Sequence, residues 1–256
     1  MGKTLFVGDV HAKAGRVLER VDDAMGGVTT VVFLGDLMDD WDADGDRQAA
    51  SLTRLADWAD ERRAAGVDVR FLCGNHDLPY LLDPRTDAYR RVRDASPGFS
   101  ARARHRLEGI LPRLTFTPAL GLTAPDGRPL LATHAGLTAR WAAWARGRLH
   151  ALGEPVSGDW AADLTLLFSI TPAPFGLMAG PARGGWDIPG ILWADMGELE
   201  ADPAAGLVQV VGHTPVPTVT RRGDLWFCDT FSTARDGGPL GDGGLLLLGA
   251  DGFRVV

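Results

Sequence analysis

Short runs of β-branched and large apolar residues recur along the chain, and each stops at glycine followed by polar side chains. Leu5-Phe6-Val7 stops at Gly8-Asp9-Val10-His11, Val31-Val32-Phe33-Leu34 at Gly35-Asp36-Leu37-Met38-Asp39, and Val69–Cys73 at Gly74-Asn75-His76-Asp77. Between them the apolar spacing changes to that of a helix. Val17, Leu18 and Val21 mark one buried face within 13–25, and Leu52, Leu55 and Trp58 mark another within 46–65, where Gly66 fits the C-cap. The pattern predicts strands over 4–8, 29–34 and 67–73 with helices between, hence a parallel sheet with right-handed crossovers.

The middle of the chain reads differently. The Arg-rich stretch 83–113 predicts helices over the mouth of a site, forming a cap-like region. Strands are expected over 114–122 and 130–133, on either side of the turn Pro125-Asp126-Gly127. Helices follow over 138–152 and 159–170, and then a Pro/Gly-rich loop over 171–190. Strands return over 191–194, 207–211, 225–229, 244–248 and 253–256. Two more apolar runs end at a histidine, Leu130–Thr133 at His134 and Val208–Gly212 at His213. Open α/β sheets keep their ligands at the C-terminal ends of strands. Convergence of these five loops brings Asp, His, Asp, Asn, His and His together, a set suited to a pair of divalent metals. The architecture expected is α/β, with two β-sheets packed face to face and helices outside.

Composition narrows the function. The 256 residues, 45% apolar and 23% charged, fit a folded domain with a substantial core. A net charge of −7 argues against general nucleic-acid binding. It leaves small phosphates open, because metals can supply local positive charge. Cys73 and Cys228 lie in apolar runs and read as buried thiols, not as a disulfide framework. No apolar stretch is long enough to span a membrane, and no signal-peptide pattern opens the chain, so a cytoplasmic location is expected. The oligomeric state is not legible.

The ordered motifs Asp-x-His, Gly-Asp-x-x-Asp, Gly-Asn-His-Asp, His-Ala-Gly and Gly-His, running from Asp9 to His213, resemble the signature of calcineurin-like metallophosphoesterases. Gly-Asn-His-Asp alone would arise by chance on the order of once per thousand chains of this length. His134-Ala135-Gly136-Leu137 and Gly212-His213-Thr214-Pro215 most resemble the phosphoprotein-phosphatase branch, which includes diadenosine tetraphosphatase-like members. The resemblance implies one metallophosphoesterase domain over 1–256, a four-layer αββα sandwich with two mixed β-sheets. It implies two divalent ions. Asp9 and His11, which share a side of an extended strand end, hold one of them with Asp36. Asp36 bridges to a second, held by Asn75, His134 and His213. These ligands suit Mn²⁺ first, or Fe, Zn²⁺ or Ni²⁺, better than Ca²⁺. A metal-bridging hydroxide is then the nucleophile, and His76, oriented by Asp39, is the general acid.

Two departures bear on the substrate. Many metallophosphoesterases end in Gly-His-x-His, but Pro215 takes the place of the second histidine, as in the phosphatase branch. That branch also continues Gly-Asp-x-x-Asp with Arg-Gly, whose arginine grips phosphate. Here Asp40-Trp41 follows instead, and Trp193-Ala194-Asp195 supplies no arginine either. Arg140, shortly after His134, and Arg183, in the Pro/Gly-rich loop, are the candidates to bind substrate. A phosphatase acting on phosphorylated protein or a small phosphoester leads. A dinucleoside polyphosphate hydrolase or phosphodiesterase is the alternative, and a metal-free interaction module on the same fold is a remote one.

Overall fold

The computed structural model describes residues 2–41 and 43–256. Its first part alternates β1 (Lys3–Val7), α1 (Ala14–Asp23), β2 (Val28–Phe33), α2 (Gly45–Ala64) and β3 (Asp68–Leu72). Then come α3 (Leu78–Leu81), α4 (Asp87–Ala95), α5 (Ala101–Leu107), β4 (Phe116–Thr117), β5 (Ala119–Thr123), β6 (Pro129–Thr133), α6 (Ala139–Ala151), α7 (Trp160–Ile170) and α8 (Ala173–Leu177). The chain continues with α9 (Met196–Ala201), β7 (Val208–Pro215), β8 (Thr220–Arg222), β9 (Leu225–Asp229), β10 (Leu246–Gly249) and β11 (Gly252–Val255).

These strands form two mixed sheets, one of order β11-β10-β1-β2-β3-β4 and one of order β5-β6-β7-β9-β8. Strand alternation decides which side chains meet. Phe6, Val32, Leu34 and Leu72 point from the first sheet into a layer shared with Leu130, Ala132, Val210, Trp226 and Cys228 of the second. Leu5, Val7, Val31 and Phe33 point the other way, onto Val17 and Leu18 of α1 and Leu52 and Leu55 of α2. Leu131 on the outer face of the second sheet packs with Trp141, Leu149 and Leu164 of α6 and α7. The result is the four-layer αββα sandwich that the resemblance implies. Both cysteines are free and buried.

Among the segments that differ from the sequence reading, which include α3, α8 within the loop expected over 171–190, and β8, three stand out. The strand expected over 114–122 is two strands, with Pro118 between them. Its first half pairs with β3 and its second half with β6, so the chain changes sheets there. Residues 191–194 are a turn, in which the N–H groups of Trp193 and Ala194 both donate to the Gly190 carbonyl. Their apolar character reflects burial against the core, not pairing in a sheet. Helix α9 went unread, although Asp195 and Glu198 form a capping box at its start. Pro97 and Gly98, between α4 and α5, border the cavity described next.

Candidate metal centre

Backbone geometry sets the site. Among the described residues, five without glycine's freedom have positive φ, namely His11, Ala12, Asp36, Asp39 and His213. Four of these are the candidate residues themselves, and such concentrated strain is typical of functional sites. The leading glycines permit close approach. Gly35 has φ of 106°. A Cβ on Gly74 would lie 2.1 Å from Asp36 Oδ1.

Two imidazoles are aimed by backbone carbonyls. His11 Nδ1–H donates to the Asp39 carbonyl at 2.9 Å, and His134 Nδ1–H donates to the Leu34 carbonyl at 2.8 Å. Each ring therefore turns Nε2 inward, the arrangement by which outer partners orient metal ligands. His11 Nε2 lies 3.7 Å from Asp9 Oδ2 and 3.8 Å from Asp36 Oδ2. His134 Nε2 lies 3.4 Å from Asp36 Oδ2, 2.9 Å from Asn75 Oδ1 and 3.1 Å from His213 Nδ1. Two groups of ligand atoms result, Asp9–His11–Asp36 and Asp36–His134–His213, and Asp36 belongs to both. Asp9 Oδ2 and His213 Nε2 are buried without a hydrogen-bond partner.

The local charge is unbalanced. Burial, then the charge of Asp229, pushes the Asp9 carboxyl well above its usual range. Burial also opposes ionisation of Asp36, but the imidazoles of His134, His76 and His11 outweigh it and hold Asp36 well below. Burial works against a charged His134, yet Asp36 and Asp9 raise it to about 9. Burial holds His11 down at about 4. It also holds His213 well below the usual range, helped by His134 and Arg183. Close carboxylates, inward-facing imidazole nitrogens and orphaned buried atoms together fit divalent cations.

His76 is built differently. Its backbone N–H donates to Asp36 Oδ1 at 2.9 Å, while its Nδ1 lies 3.4 Å from Asp39 Oδ2. Burial disfavours its charged form, but Asp36 and then the hydrogen bond to Asp39 raise it to about 9. The Tyr80 hydroxyl donates to Asp39 Oδ1 at 2.6 Å and accepts from the Ser100 N–H, fixing that carboxylate from behind.

Above this cluster lies a cavity of about 470 Å³. His11, Asp36, Asp39, Asn75, His76 and His213 line it, while Trp41, Arg183, Trp193 and Leu240 reach it from the rim. Asp9 and His134 are buried beneath. The two candidate arginines part company. Arg183 borders the cavity, paired with Asp195 at 3.0 Å and donating to Thr214 Oγ1 at 2.9 Å. Arg140 is exposed, pairs with Asp202 at 3.1 Å and does not border the cavity. Being at the start of α6, two residues past the turn after His134, carries its side chain outward.

Two buried acids went unread as site residues. Asp77 accepts hydrogen bonds from the N–H groups of Leu37, Met38 and Gly74, tying the loops after β2 and β3 together. Burial, then Asp36, raises it to about 7. Its signal was present as the last residue of Gly-Asn-His-Asp. Asp229 ends β9 and holds Ser232 through both carboxylate oxygens, with burial raising it to about 6. Its run, Leu225–Cys228, ends in an acid like the others but lacks the leading glycine.

A family model for calcineurin-like phosphoesterases matches residues 2–235. The chain belongs to that family. Calcineurin-like phosphoesterases are metal-dependent hydrolases of phosphoesters, and the ligand groups above agree with that chemistry. No curated protein sequence matches the chain. Among solved structures, a cold-active protein tyrosine phosphatase aligns with a TM-score of 0.52 and 17% identity, over 100% of this chain and 78% of that one. A cold-active protein-tyrosine phosphatase of a psychrophilic Shewanella species gives 0.47 and 18%, over 100% and 80%. A hypothetical protein of Pyrococcus horikoshii OT3 gives 0.50 and 11%, over 100% and 87%. At such identities the likeness concerns the fold. Among the described residues, no helix is long and apolar enough to cross a membrane.

Proposed function

We propose that this calcineurin-like phosphoesterase is a binuclear phosphatase of the phosphoprotein-phosphatase type, acting on a phosphorylated protein or a small phosphoester. The observation that carries the reading is the pair of ligand groups sharing Asp36. Asp9, His11 and Asp36 would hold one divalent ion, and Asp36, Asn75, His134 and His213 the other, with Mn²⁺ the first choice. When bound, such ions supply positive charge for the phosphoryl oxygens and acidify water to a nucleophile. The chain's own residues do the rest. His76, kept protonated beside Asp36 and Asp39, donates its proton to the departing oxygen. Asp39, fixed by Tyr80, keeps the His76 ring in place. Arg183 offers the cavity wall a guanidinium for phosphate. Pro97 and Gly98 of the loop between α4 and α5, and Arg183 of the Pro/Gly-rich loop, border the cavity, which supports reading these segments as parts of one catalytic domain.

A substrate panel with Mn²⁺ tests this: phosphopeptides, aryl mono- and diesters, dinucleoside polyphosphates and cyclic nucleotides. Monoesters should be hydrolysed, chelation should abolish the activity and Mn²⁺ should restore it. Metal analysis should find about two ions per chain, as a two-metal centre requires. One ion per chain, or undiminished hydrolysis by metal-stripped protein, would overturn the reading.

A further inference from the structure

A second cavity, of about 400 Å³, lies behind Asp40, Trp41 and Thr233, which line it and also line the cavity over the ligand cluster. This common wall is pinned, because Trp41 Nε1 donates to the Thr233 carbonyl at 3.0 Å and the Trp41 N–H donates to Asp40 Oδ1 at 3.0 Å. A ligand of the second cavity is therefore a molecule separate from one over the metals. The lining is basic. Lys13, Arg16, Arg47 and Arg235 border the cavity, against one carboxylate, Asp40, among the described lining residues. Lys13 and Asp40 pair at 3.0 Å with side chains only 10% and 6% exposed, so this ion pair is nearly dry. Arg47 stands 3.9 Å from the same carboxylate. Among the described residues Arg16 and Arg235 have no carboxylate partner, and the Arg235 guanidinium lies 4.8 Å from the Trp41 ring centre instead. Gly15 and Arg16 open the ten-residue helix α1, whose N-cap, Lys13, supplies no capping side chain, so the partial positive charge of that end adds to the cations.

Such a concentration of cations in a chain of net charge −7 favours an anion as the ligand. Guanidinium forks match the oxygens of phosphate. Asp40 ties this cavity to the hydrolytic one. It lines both, and the Lys13 ammonium that neutralises it also donates to the carbonyl of His11, a candidate metal ligand, at 3.2 Å. A dianion that draws on Lys13 and Arg47 leaves Asp40 less neutralised, and the hydrolytic cavity then repels an anionic ester more strongly. We propose that the second cavity is a regulatory site for free inorganic phosphate, distinct from the metal centre, whose occupation weakens substrate binding. The site itself stands on its own lining, while its role as a sensor of product rests on the phosphoesterase reading.

Equilibrium dialysis against inorganic phosphate tests the site, in about 150 mM chloride, which screens binding to loose surface charge. Metal-stripped wild type should bind about one phosphate per chain, with a dissociation constant on the order of 1 mM or tighter. Mn²⁺-loaded protein should bind a further one at the metals. Arg16→Gln/Arg235→Gln should lose the metal-independent phosphate and keep the other, and Arg16→Lys/Arg235→Lys should restore it. Neither arginine borders the hydrolytic cavity, so without phosphate kcat of both variants on p-nitrophenyl phosphate should stay within about twofold of wild type. Added phosphate raises KM for that ester in every protein by competition at the metals. Relative to its own phosphate-free value, KM should rise about three- to fivefold further in wild type than in the Gln variant, through the added charge behind the wall. No binding by stripped wild type up to about 20 mM phosphate, or equal binding by the Gln variant, would overturn the site. Equal rises in KM would overturn its regulatory role. If wild type does not hydrolyse the ester, the phosphatase reading and the sensing of product fail together, while dialysis still decides the site.

Discussion

His76 and Asn75 are neighbours in sequence but face different tasks. Asn75 sends its amide oxygen toward His134, while His76 turns to Asp39. His76→Asn is expected to retain both metals and to lose roughly 10²-fold or more in kcat on esters with poor leaving groups. The loss should shrink for activated aryl esters, which leave without help from a proton. Metal analysis beside kinetics on both ester classes checks this, and loss of metal would make His76 a ligand. Asp40 gives a second expectation. Installing the arginine that the resembled phosphatases carry there would look like a gain in phosphate grip. Yet Asp40 is largely buried and holds Lys13 and Arg47. Asp40→Arg would crowd three cations, so its melting temperature should fall by several degrees. A stable variant with a lower KM for monoesters would show that the site accepts a clamp after all. Most of the candidate ligands were legible as residues because each ends an apolar run, which is a local pattern. Arg140 and Arg183 were not separable, because whether a long side chain reaches a cavity depends on the first turn of α6 and on an irregular loop. Neither carries a periodic signal.

At the level of elements, the Asp77 carboxylate binds the Leu37 and Met38 N–H groups of the loop after β2 and the Gly74 N–H of its own loop after β3, beside the His76 N–H bond to Asp36. Asp77→Ala leaves these donors buried without that acceptor. It should destabilise the fold by about 3 kcal/mol or more, a fall in melting temperature of roughly 6–12 °C for a chain of this size. Metal affinity should fall with it, since Asp36 sits on one loop and Asn75 on the other. Calorimetry with and without Mn²⁺ measures both, and an unchanged melting temperature would mean the loops are held by other contacts. The alternating first part of the chain was readable because crossover helices leave a 3.6-residue period and buried strands leave continuous apolar runs. Pro118 and the turn at 191–194 were not, since a change of sheet and a buried turn both keep apolar residues in strand-like order. Strand β8, Thr220–Arg222, is polar and lies at the sheet edge, where nothing demands an apolar signature.

For the molecule as a whole, the candidate ligands divide between the sheets. Asp9, His11, Asp36 and Asn75 follow strands of the first, and His134 and His213 belong to the second. Cations bound across that boundary stabilise the packed state and not the unfolded chain. Saturating Mn²⁺, at about 100 times its dissociation constant, should add about 2.7 kcal/mol per site, and chelation should lower the melting temperature by roughly 5–10 °C for each site emptied. A melting temperature indifferent to chelator would mean that no cation bridges the sheets. The strand order carries a further consequence, in time. β1 lies between β2 and β10, so the neighbour it needs on one side is synthesised long after it, and His213 likewise comes long after Asp9. Domains begin to fold from their N-terminal end while synthesis proceeds at about 5–20 residues per second. Until β10 has been synthesised, the nascent chain therefore holds Asp9, His11, Asp36 and Asn75 beside an open sheet edge. The full candidate ligand set would come together only once β7, which carries His213, has been synthesised.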